Sequence, residues 1–137
     1  MPKSITPHEA LIYIMVTMSA ADRKISEIEL DRIGDTVKQF PVFHDYDTSK
    51  LVKTAENCGD LLSEGTALNA VLDLVAEALP LKLRETAYAL AVDVAAVDMK
   101  VTNEEIRLLE LLRDALNLDK LVTAAIERCA RARAQTL

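Results

Sequence analysis

The chain has 137 residues, half of them apolar, with aromatics at only 4%, no Trp, three Gly and four Pro. That length fits one domain with a substantial core, and the composition demands a core of Leu, Val, Ile and Ala at helical spacing, which excludes a sandwich or barrel. A formal net charge of −6 argues against a nucleic-acid backbone as the main partner.

Taken in order, the first helix is announced by Thr6-Pro7-His8-Glu9: a Thr cap, Pro at the first helical position and Glu at the third. It runs from Ala10 to about Ala21 and is apolar on nearly every face, so burial all round is expected. Asp22-Arg23-Lys24 forms a turn. The second helix starts at Ser26, with Glu29 completing a capping box; its stripe is Leu30, Ile33, Val37 and Phe40, and Pro41 stops it. Repeat one thus spans about 6–40.

Val42 to Asp47 reads as a short irregular crossing in which His44, Asp45 and Asp47 form a solvated acidic cluster. Two linker helices fill about 47–79. The third helix, roughly Thr48 to Ser63, carries Leu51, Val52, Ala55, Cys58, Leu61 and Leu62 on one face. The fourth, about Ala67 to Leu79, carries Leu68, Val71, Leu72, Val75 and Leu79, and ends at Pro80.

Repeat two covers about 82–116. Its first helix, about Lys82 to Val97, is again apolar on most faces, and its second runs from Thr102 to about Leu116 with Glu105 as box partner. A C-terminal helix, about 118–134, carries the stripe Leu121, Val122, Ala125 and Cys129. Arg128, Arg131 and Arg133 near its end complement the helix dipole. Cys58 and Cys129 lack metal-binding spacing and sit on apolar stripes, so buried free thiols are expected. No run reaches the roughly 18 apolar residues of a membrane span, nor is there a signal core. A cytoplasmic location is expected.

The two capped turns are copies. Ser19 to Leu30 aligns with Ala95 to Ile106 at an offset of 76, matching Asp22 with Asp98, Lys24 with Lys100, Ser26 with Thr102 and Glu29 with Glu105. The predicted fold is therefore all-α, with about seven helices and two duplicated helix–turn–helix halves related by an approximate two-fold rotation.

The duplicated acids are the candidate chemistry. A capping box explains Glu29 and Glu105. It does not explain Asp22 and Asp98, whose charge opposes the dipole of the helix they end. An Asp tolerating a left-handed conformation, or capping the next turn, would explain them. Asp22-x-x-Ile25-Ser26-x-x-Glu29 resembles the back half of an EF-hand loop, but the earlier ligand positions hold Met18 and Ala20 (Val94 and Ala96 in the second copy). Arg23 and Met99 replace the turn glycine, so a true EF-hand is excluded. Asp93, the lone acid of the apolar run Ala87 to Val97, requires a partner or a wet cleft. His8 and His44 belong to no ligand or triad motif, and no phosphate loop or nucleophile motif occurs, so an enzyme is not expected.

Ala20-Ala21-Asp22 with Ser26 and Glu29, and Ala95-Ala96-Val97-Asp98 with Thr102, Glu104 and Glu105, resemble the TerB-like family. These are small bacterial all-α proteins named for tellurite-resistance operons, with related domains at the front of a membrane-anchored DnaJ-type co-chaperone. Typical members carry Gly after the Asp, where this chain has Arg23 and Met99. The resemblance implies a stress-linked protein with a weak divalent-cation site from both halves: Asp22, Glu29, Asp98 and Glu105, with Asp93 as a further candidate. Oxygen ligands would suit calcium, magnesium or manganese. The alternative is a metal-independent adaptor that docks a partner protein, its acids acting only as caps.

Overall fold

The computed structural model describes residues 4–19, 25–65, 68–96 and 101–137. Among them are seven α-helices and no strand: α1 (Pro7–Ser19), α2 (Glu27–Gln39), α3 (Leu51–Ser63), α4 (Leu68–Ala78), α5 (Arg84–Ala95), α6 (Asn103–Ala115) and α7 (Lys120–Arg133). The fold is all-α, as expected from composition and periodicity.

Every residue of α1 from Ala10 to Met18 is buried. A helix with no polar stripe can persist in water only when other elements cover it on all sides. Here α2, α3, α4 and α5 do so. Its start is fixed locally: Thr6 N–H donates to Glu9 Oε1 at 2.9 Å, Glu9 N–H donates to Thr6 Oγ1 at 3.1 Å, and Pro7 occupies the first helical position. The corresponding helix, α5, buries Ala87, Tyr88, Leu90, Ala91, Val92 and Ala95 and packs against α1, α6 and α7.

Two helices begin later than expected because tighter 3₁₀ turns precede them. Thr48–Lys50 is such a turn, capped by Asp47, whose Oδ1 accepts from Ser49 N–H at 3.0 Å and Ser49 Oγ–H at 2.7 Å. Those bonds hold the Asp47 carboxyl below its ordinary pKa. Leu81–Leu83 makes a similar turn before α5.

Two predicted faces are corrected. On α3, Val52 is 51% exposed; the inward face is Leu51, Thr54, Ala55, Cys58 and Leu61. Thr54 joins it because its hydroxyl donates to Lys50 O at 3.0 Å, which removes the cost of burying it. On α7 the buried residues are Thr123 and Ala130, with Ile126 packed beside them, while Leu121 is 78% exposed and Cys129 is exposed. The expected Leu121–Val122–Ala125–Cys129 stripe is rotated outward. Polar links to α5 set that rotation: Tyr88 O–H donates to Glu127 Oε2 at 2.6 Å, and Arg133 Nη2 pairs with Asp93 Oδ1 at 2.8 Å.

Gly59 lies within α3 and a Cβ there would meet nothing within 4 Å. An interior helical Gly costs about 0.5–1 kcal/mol relative to Ala. Packing among the described residues gives no reason for it.

Arg84 joins two helix ends. Its Nη1 donates to Leu116 O at 2.9 Å, just past α6, and its Nη2 to Ala76 O at 3.4 Å in the last turn of α4. One cation thereby meets carbonyls at two negative dipole ends. Replacing it with the apolar, similarly long Met strips both carbonyls of their donor. Arg84→Met should lower unfolding stability by about 1.5–3 kcal/mol, the range for hydrogen bonds involving a charged group. Urea denaturation at unchanged slope would measure it, and a parent-like midpoint would refute the bridging role.

Candidate functional site

The duplicated segments build nearly identical helix starts. At α2, Glu29 N–H donates to Ser26 Oγ at 3.2 Å and Ser26 N–H donates to Glu29 Oε1 at 3.0 Å. At α6, Glu105 N–H donates to Thr102 Oγ1 at 3.1 Å and Thr102 N–H donates to Glu105 Oε1 at 3.0 Å. Both caps have extended backbone, with ψ of 164° at Ser26 and 162° at Thr102. Each box satisfies two amide donors that the helix start would leave orphaned. Glu29 and Glu105 are thus placed at equivalent positions, each with Oε1 engaged by its own cap residue.

Asp22 and Asp98, the other duplicated acids, lie outside the described residues. Asp93 does not stand alone: it is 30% exposed and bound to Arg133 from α7, whose pKa it raises by hydrogen bond and charge. Arg133 Nη1 also contacts Cys129 Sγ at 2.9 Å. Asp93, in the last turn of α5, therefore serves as a docking point for the C-terminal helix.

Calcium takes six to eight oxygens, and magnesium demands near-octahedral geometry. Glu29 and Glu105 each commit an oxygen to a cap, Asp93 commits one to Arg133, and no group of three or more His, Cys, Asp or Glu able to hold a metal occurs among the described residues. A third box is informative. Thr6 and Glu9 make the same reciprocal pair at α1, yet the residue seven before Glu9 is Pro2, not Asp. A Glu at this position needs no preceding carboxylate to be useful.

The remaining reactive groups are held by packing. Cys58 Sγ lies 3.7 Å from both Tyr13 O and Thr17 Oγ1, and burial pushes its thiol up to about 11. Burial, with smaller contributions from Cys58 and Glu9, raises Tyr13 to about 12. Burial first and then the Glu127 carboxylate push Tyr88 upward. These shifts oppose nucleophilic use at neutral pH.

His8 has a role that periodicity did not signal. Its Nε2–H donates to Val42 O at 2.7 Å and lies 3.5 Å from Asp45 Oδ1, while the ring stacks on Phe43 at 5.5 Å and tilts against Tyr46 at 5.1 Å. The crossing between α2 and α3 is thereby fastened to the start of α1. An aromatic pair within six residues of an acid, Phe43 and Tyr46 with Asp45, was the available signal.

These groups predict an alkaline limit. Cys58 and Tyr13 have folded pKa values raised above 9.0 and 10.0, so their neutral forms support the fold fully below those values. That support is lost as pH rises toward about 11 and about 12 respectively. Melting temperature should hold steady up to pH 9 and fall steadily above it, and Cys58→Ala should remove the earliest part of the fall. A melting temperature independent of pH across this window would contradict the assignment.

No family model, curated protein or solved structure matches the chain.

Proposed function

We propose that the chain is a non-enzymatic, TerB-like helical scaffold that works by docking a partner protein, with Glu29 and Glu105 as helix-start partners. The observation that carries this reading is the third capping box. Thr6 and Glu9 repeat the geometry of Ser26 with Glu29 and of Thr102 with Glu105, in a place where no Asp precedes it. Helix initiation accounts for the Oε1 contact of each of the three Glu residues. The commitment of Asp93 to Arg133 supports the same view.

A second reading, a divalent cation held by Asp22, Glu29, Asp98 and Glu105 in a stress-linked protein, is favoured by one observation. Asp22 and Asp98 recur seven residues before a Glu, although capping needs neither. Asp93 has no part in this version, because its carboxylate is taken by Arg133.

Cation titration separates the two. A cation at about 100 times its dissociation constant would stabilise the folded state by about 2.7 kcal/mol, enough to move the melting temperature by several degrees. The scaffold reading predicts no shift with millimolar calcium, magnesium or manganese. It also predicts that Asp22→Asn with Asp98→Asn leaves stability unchanged or slightly raised, since two charges opposing helix dipoles are gone. A cation-dependent rise in melting temperature that this double substitution abolishes would replace the scaffold with the cation site.

A further inference from the structure

We draw no further inference here: the strongest candidate, the exposed outer surface of α7 with Leu121, Arg128 and Arg131, also carries the exposed acid Glu127 beside those cations, and nothing in the structure shows what covers it.

Discussion

The burial of α1 is the constraint on which the rest of the structure depends. From Ala10 to Met18 it has no side that can face water, so it cannot form before it is surrounded. Every neighbouring element answers that requirement: α3 and α4 cover it from the linker, α5 from the second half, and α2 folds back over it. The second half eases the same constraint on α5, which keeps a half-exposed side where Asp93 meets Arg133.

A helix that covers a buried one needs a clean start of its own. The capping boxes at Ser26 and Thr102 are the physical form of that start, since reciprocal bonds satisfy the first amides and fix the entry angle. Arg84 supplies the matching device at helix ends, tying α4 and α6 together by their carbonyls. His8 does the same for the crossing segment. Polar side chains in this protein thus act mostly at the ends of helices, while Leu, Val, Ile and Ala fill the middle.

What was legible in the sequence is what local chemistry decides. Pro7, the Thr6–Glu9 box, the two repeated boxes and the stops at Pro41 and Pro80 place helix boundaries without reference to the rest of the chain. The inward face of α7 was not legible. In a helix so rich in Ala the two candidate stripes differ little in apolar content, and the choice falls to Tyr88–Glu127 and Asp93–Arg133, partners about 40 residues apart. Cys129 was placed inside for the same reason and lies outside. Val52 was grouped with Leu51 on the apolar face of α3 and lies outside it, whereas Thr54 can be buried once its hydroxyl donates to Lys50 O. Of the candidate site, the positions of Glu29 and Glu105 were readable; that Asp93 is spoken for was not, because Arg133 is distant in sequence.

The account turns on whether the duplicated Glu residues serve as box partners. Gln completes a capping box as Glu does, whereas Ala cannot. Chemical denaturation of the paired variants Glu29→Gln with Glu105→Gln, and Glu29→Ala with Glu105→Ala, in metal-free buffer would decide it. The account predicts that the Gln pair stays within about 0.5 kcal/mol of the parent, while the Ala pair loses about 0.5–2 kcal/mol, as for the loss of a helix cap. Equal losses in both pairs would contradict it and show that the carboxylate charge, not the helix-start hydrogen bond, is what each copy keeps.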